Sequence, residues 1–352
     1  MNTLFMFPMF VQIFADMKTN TTAQTGSGKD LSAEMKTYYS DYLIDLAEPE
    51  LIHDQFGQKH PIPKNGGKTI EFRQYDPLPE MTTALTEGVT PDGQSLNVKK
   101  LEATVKQYGG YVTLSDLLML TAIDNNLVQA TKLIASQAGR TLDTITRDII
   151  NAGTIAQYAD GSVSARADLA GGSKTDSQNN YLTVDAIKKA VRTLEAQDAP
   201  KINGYYVGII HPNVKYDLMK DPDWKTPHEY VDTANVYKNE IGELYGVRFV
   251  QSSRAKVWTK AGKNYETGTE SGGTITPKAN DRDVYSTLIL ADDAYGITDI
   301  SGGGLQHIVK QLGSAGSGDP LDQRATVGWK ATKTAEILVQ QYMVRIETTA
   351  SA

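Results

Sequence analysis

The sequence predicts an α+β fold, and three observations carry that prediction. Residues 124–153 hold a sustained helical period of apolar side chains. From Thr183 to residue 300, helical patterns alternate with short apolar strands. The chain then closes on two β-branched strand patterns, Arg324–Thr332 and Ala335–Glu347.

Taken in order, the chain begins with an apolar run, Leu4–Phe14. It is too short for a bilayer, which takes about 20 residues. No Lys or Arg precedes it, and Asp16 follows it without a small-residue cleavage site, which argues against a secretory signal. Two readings stay open: an apolar arm that packs on a neighbour, or a true start at Met17. No other stretch is a transmembrane candidate. Residues 18–34 are rich in Thr, Gly and Ser and read as a flexible arm. Residues 35–52 pattern as a short amphipathic helix with Leu43, Ile44 and Leu46 on its apolar side. An extended segment with Pro61, Pro63 and the turn Asn65-Gly66-Gly67 leads on.

Thr69–Tyr75 alternates Ile70 and Phe72 with polar partners, the period of a strand. Residues 76–98 are rich in proline and poor in apolar residues, with a turn signal at Asp92-Gly93. Leu101–Leu114 is strand-like again. A long loop with no core of its own is odd inside a compact domain, and a projecting arm that packs on another subunit would explain it. The helix at 124–153 then takes Asp124 as its cap and Gly153 as its stop. Its stripe is Leu127, Ala130, Ile134, Ala138, Leu142, Ile145, Ile149 and Ala152. It makes a rod of roughly 40 Å that should lie along a sheet or a second helix.

Residues 156–180 read as loop. Thr183 caps a second helix with Ile187, Ala190, Val191 and Leu194 inward. Tyr205–Ile210 is a buried-strand candidate, ended by His211-Pro212, and Pro212–Lys220 is a short helix. Val247–Gln251 and Tyr285–Ala291 read as strands, and residues 261–282 between them as a surface loop. Residues 301–322 interrupt with glycine before the final strands.

The bulk properties exclude several function classes. A chain of 352 residues with 40% hydrophobic and 22% charged residues suggests about two globular domains. The absence of cysteine rules out disulfides, zinc-thiolate sites and cysteine nucleophiles. The formal net charge of -7 is the opposite of a basic DNA-binding footprint, and no cluster of Lys and Arg stands out in the sequence. The phosphate-loop look of Gly26-Ser27-Gly28-Lys29 fails because Asp30 follows and Ala23 stands where the first glycine belongs. His228-Glu229 would need a second histidine where Asp232 stands. The histidines at 53, 60, 211, 228 and 307 have no metal-ligand spacing. The carboxylate pairs Asp221/Asp223 and Asp292-Asp293 read as solvated turns. No catalytic, cofactor-binding or metal-ligating residue is therefore assigned.

Four stretches, in this order, resemble the major capsid proteins of tailed bacteriophages. They are Thr86–Pro91, Lys106–Val112 with Ser115-Asp116, His211–Asn213 with Tyr216–Leu218, and Ala325–Lys330. The resemblance is narrower still to the phage N-four coat protein family. It implies the Hong-Kong-97-type capsid fold, with an N-terminal arm at 1–65 and an extended β-hairpin loop at 66–116. A peripheral domain at 117–182 would contain the long spine helix 124–153. An axial domain would occupy 183–300, and C-terminal strands at 301–352 would return to the peripheral domain. It further implies a non-enzymatic subunit that assembles as hexamers and pentamers in the host cytoplasm. The product would be an icosahedral shell around double-stranded DNA, contacted weakly and without sequence specificity. The expected partners are further copies of the chain, a separate scaffolding protein, a portal and a decoration protein, with no membrane. Some relatives cross-link subunits through lysine, for which Lys99 or Lys100 could serve. The readings to weigh against it are a bacterial nanocompartment shell and a secreted or surface binding protein.

Overall fold

The computed structural model describes residues 52–90, 92–121, 126–159, 161–173, 175, 178–224, 240–271, 274–298, 300, 303–312 and 321–351. The expectations for residues 1–51, the Asp124 cap, Pro91 and His228 lie outside them. Among the described residues no helix is long and apolar enough to cross a membrane.

The elements run in this order: β1 (Gln58–Lys59), β2 (Thr69–Tyr75), β3 (Val98–Thr104), β4 (Lys106–Ser115), α1 (Asp116–Thr121), α2 (Asn126–Ile150), β5 (Ala156–Tyr158) and β6 (Ala170–Gly171). There follow α3 (Val184–Glu195), β7 (Tyr206–Ile210), α4 (Pro212–Leu218), β8 (Glu240–Leu244), β9 (Val247–Gln251), β10 (Val257–Ser271) and β11 (Thr274–Leu290). The chain ends with β12 (Tyr295–Thr298), β13 (Gln306–Lys310), β14 (Arg324–Ile337) and β15 (Met343–Thr348). They form an eight-stranded sheet, a five-stranded sheet and the two-stranded β2–β3 ribbon.

The eight-stranded sheet is the core. Its path runs β5-β15-β11-β7-β9-β8, with β10 and β6 attached beside β11. Strand β7 is buried along its whole length, as its apolar sequence predicts. Its alternate side chains serve opposite faces. Tyr206 and Ile210 join Ile187, Leu194, Val214 and Phe249 beneath α3 and α4. Val207 and Ile209 join Ile150, Leu288 and Tyr295 on the other side. Each such side chain contributes about 1.5–3 kcal/mol by leaving water. Helix α3 starts where Thr183 Oγ1 accepts from the Ala186 amide, and α4 starts where His211 Nδ1 accepts from the Asn213 amide.

In the five-stranded sheet, β14 is the long central member. It pairs antiparallel with β4 along one side and with β13 and β12 along the other. Helix α2, at 25 residues, is about 37 Å long. It lays Ala130, Ile134 and Ala138 on Val327, Trp329 and Ala331 of β14.

Several expectations are corrected. Leu101–Leu114 is not one strand. The chain breaks at Val105, whose amide turns to the Lys68 carbonyl at 2.8 Å, so β3 joins the ribbon and β4 joins the five-stranded sheet. Residues 261–282 are not a loop but the bulk of the β10–β11 hairpin. They are polar on both faces and repeatedly bulged, so no period-two signal survives. The last strands divide at Leu338–Tyr342 rather than near Lys333, and they part company. β14 belongs to the five-stranded sheet, whereas β15 pairs with β11 and β5 in the eight-stranded one. The glycine-rich residues 301–322 contain β13, exposed throughout. The stripe on α2 also rotates. Ala152 is exposed beyond the helix end, and Asp143 and Thr146 take the buried positions among polar partners.

Candidate assembly interface

The β2–β3 ribbon is set up by the segment before it. Gln58 and Lys59 pair with Gly296 and Ile297, and Ile62 bridges to Ile300. Asn65 (φ 68) and Gly67 (φ 86) then turn the chain outward. Along the ribbon, Ile70 and Phe72 face Ala103 and Leu101 on one side, with the His60 ring edge-on to Phe72 at 5.4 Å. The other side carries ion pairs: Glu71 takes Arg73 and Lys100, and Lys100 also meets Glu102. A further pair, Lys99 with Asp76, closes the end of the ribbon on the first side. Lys100 and then Arg73 pull the Glu71 carboxyl below its usual range, and Lys99 does the same for Asp76. These pairs are open to water, so they fix register more than they stabilise. Both candidate cross-linking lysines are engaged in them.

At the base of the loop, the Asp76 amide donates to the Asn97 carbonyl, and the Asn97 side chain donates to Asp76 at 2.6 Å. Beyond that point no side chain of the described loop is buried. Leu78, Met81, Leu85, Val89 and Leu96 are all more than half exposed, Leu85 reaching 75%. The loop has no Lys or Arg between Asp76 and Asn97, while Asp76, Glu80, Glu87 and Asp92 make it acidic. A two-stranded ribbon is marginal alone, and five apolar side chains in water mark a surface meant for a partner.

A second unfilled surface lies on β4, β14 and β13, on the face opposite α2. Tyr111, Gly328 and Ile308 stand in a row across the three strands. Tyr111 is 76% exposed, and a cavity of about 490 Å³ opens beside it, lined also by Gly109, Lys310 and Lys330. Two of the resembling stretches are thus direct neighbours, since Lys330 pairs with Gly109 and Val327 with Val112. Glycine is required at 109, because a Cβ there would stand 2.8 Å from the Trp329 carbonyl oxygen. Sequence alone could not see that pairing, more than two hundred residues apart. The described part of the first stretch, Thr86–Thr90, sits on the ribbon's loop, and the stretch at His211 caps α4, where Asp217 receives the Ser351 amide at 2.7 Å.

A buried polar cluster anchors the chain just before β1. His53 is fully buried. Its Nδ1 and its backbone amide both reach the Asp143 carboxylate at 2.9 Å, and its carbonyl accepts from the Tyr295 hydroxyl at 2.5 Å. Asp54 pairs with the buried Lys333 and accepts from Thr146. Burial raises the Asp143 pKa, but the His53 hydrogen bonds and charge outweigh it, so the carboxyl lies below its ordinary value. Burial also pushes the Tyr295 phenol up. Polar residues mid-helix gave no sequence signal for this cluster, because its partners lie some ninety positions away.

The remaining candidates have structural roles here. Asp221 accepts from the Val184 amide at the start of α3, and Asp223 pairs with Lys188. Asp292 accepts from the Asp293 amide in a turn. Buried Glu347 is held by Arg166 and Arg345, with Trp258 stacked on both guanidiniums. Among the described residues no three His, Asp or Glu side chains gather as a metal would need.

The model of a family described as phage capsid protein matches residues 98–331, well over half of the 352. The chain belongs to the phage capsid protein family. Its fold is shared with the capsid of Ralstonia phage GP4, at TM-score 0.64 and 13% identity over 94% of this chain and 99% of that one. The capsid of cyanophage P-SCSP1u matches at TM-score 0.61 and 11% identity, over 93% and 96% of the two chains. The mature capsid of bacteriophage PhiM1 matches at TM-score 0.61 and 13% identity, over 92% and 94%. None of the curated proteins matches the chain. The α+β fold is therefore the tailed-phage, Hong-Kong-97-type capsid fold. This phage capsid protein is a major capsid protein, a structural component of the virion shell and not an enzyme. Family membership also decides against the nanocompartment and secreted-protein readings.

Proposed function

We propose that this capsid protein builds its icosahedral shell as hexamers and pentamers around double-stranded DNA, with each ribbon overlapping the next subunit. The observation that carries this reading is the ribbon loop. It exposes five apolar side chains, none of which finds a core among the described residues. The uncovered face of β4, β14 and β13 is a suitable seat for it, because Tyr111 and Ile308 offer apolar contact and Lys310 and Lys330 face an acidic loop. Contacts of this head-to-tail kind close into rings rather than pairing two-fold patches.

In this reading residues 1–65 form the N-terminal arm, 66–116 the extended hairpin loop, and 117–182 the peripheral domain around the spine helix. Residues 183–300 form the axial domain, and 301–352 return towards the peripheral domain. Membership of the narrower N-four coat family rests on the four resembling stretches. A separate scaffolding protein, a portal and a decoration protein are the further partners. The test is co-expression of the chain with its scaffold, followed by electron microscopy. Closed shells with six-fold and five-fold capsomers are expected. Monomers or dimers alone under all conditions would refute the proposal.

A further inference from the structure

Folding gathers cations that the sequence keeps apart. Beside α2, Arg140 and Arg147 meet Arg254 and Lys256 from the segment between β9 and β10. Asp148 pairs with two of the four, Arg147 at 2.9 Å and Lys256 at 3.0 Å. Arg140 and Arg254 have no ion pair among the described residues. Arg254 donates from Nη2 to Thr144 Oγ1 at 2.8 Å, but its Nε is buried without an acceptor among the described residues. Burial, then the neighbouring Arg147, draws its pKa down; Arg140 acts in the same direction and Asp143 against it.

Between these groups is a cavity of about 320 Å³, lined by Gln137, Arg140, Thr141, Thr144, Ile145 and Arg254. It has no carboxylate. The Gln137 Oε1 already accepts from Trp329, which leaves its amide nitrogen to donate. Crowded guanidiniums with unused donors repel one another until an oxyanion arrives, and their planar forks fit phosphate. A string of cations beside a pocket suits a backbone of repeated phosphates better than a single carboxylate. The patch also runs against the chain's net charge of -7.

We infer that this pocket on the spine helix binds a backbone phosphate of the packaged nucleic acid. The inference rests on the shell reading above, and it turns a weak, diffuse DNA contact into a placed one. The test uses the full chain and a labelled DNA duplex of arbitrary sequence, titrated by fluorescence anisotropy across a salt series. Wild type is compared with Arg140→Gln, Arg254→Gln and the double variant, and each preparation is also examined for shells by electron microscopy. The double variant should bind about tenfold more weakly at low salt, with a log–log salt slope shallower by about one. Arg140→Gln alone, which sacrifices only a 3.4 Å bond to the Ser136 carbonyl, should lose about threefold, with a smaller flattening of the slope, even if Arg254→Gln misfolds. Absence of duplex binding by wild type would overturn the inference, as would equal affinity and slope in the variants. So would a double variant that binds DNA normally yet forms no shells, because the patch would then seat an acidic segment of a neighbouring copy. Failure of wild type to form shells would strike the shell reading and leave the binding measurement standing.

Discussion

The molecule has two long hairpins, and they handle water in opposite ways. The β10–β11 hairpin has strands of 15 and 17 residues, and β11 runs into the centre of the eight-stranded sheet. Its outer part is threonine, lysine, glutamate and glycine, bulged along its length. It can stand in solvent without help. The β2–β3 ribbon is shorter and shares no sheet with the rest of the described residues, yet its loop carries five exposed apolar side chains. A polar hairpin rooted in a core is complete within one subunit. An apolar loop on an unrooted ribbon is, in the proposed assembly, completed by another. This contrast separates what the subunit needs to fold from what it needs to assemble.

The largest expected effect lies where both functions meet the core. His53→Ala leaves Asp143 buried without its partner and should cost about 3–5 kcal/mol. A fall of many degrees in melting temperature would show it, and an unchanged melting curve would remove the anchor from the account. Next, Ile289→Ala at the root of the β10–β11 hairpin empties a fully buried position in the main core, at about 2–5 kcal/mol. Chemical denaturation measures that loss.

A pH experiment sharpens the anchor further. The Asp143 carboxyl lies below its ordinary value of 3.8 in the folded chain. Its stabilising contribution is therefore complete above that value and is lost as pH falls through the lower folded pKa. Wild type should lose stability steeply in strong acid, and Asp143→Asn should show a flatter acid limb from a lower starting stability. Parallel acid limbs would contradict this. Smaller still is the effect of the combined change Met81→Ser, Leu85→Ser and Val89→Ser on folding, within about 0.5 kcal/mol per site. The same variant should lose shell formation entirely. Ile275→Ser, near the tip of the polar hairpin, should disturb neither folding nor assembly.

Much of this was legible in the sequence, for definite reasons. Helix α3 and strand β7 announce themselves because their apolar residues follow one period and their caps, Thr183 and His211-Pro212, sit at the ends. The ribbon loop was legible through what it lacked, a core of its own. The β10–β11 hairpin was not, because strands wet on both faces leave no alternation to read. The break at Val105 was hidden because one apolar pattern serves two sheets. The assembly surface on β4 and β14, the His53–Asp143 anchor and the arginine cluster on α2 share one cause of invisibility. Each joins residues that only the fold brings together.

The central claim is that the ribbon loop serves assembly and not folding. The most direct measurement replaces residues 76–98 with a short turn in the full chain. Thermal melting of the isolated subunit is then recorded, and the scaffold co-expression product is examined by electron microscopy. The account predicts a melting curve like wild type and no closed shells. Closed shells from the shortened chain, or a subunit that no longer folds, would contradict it.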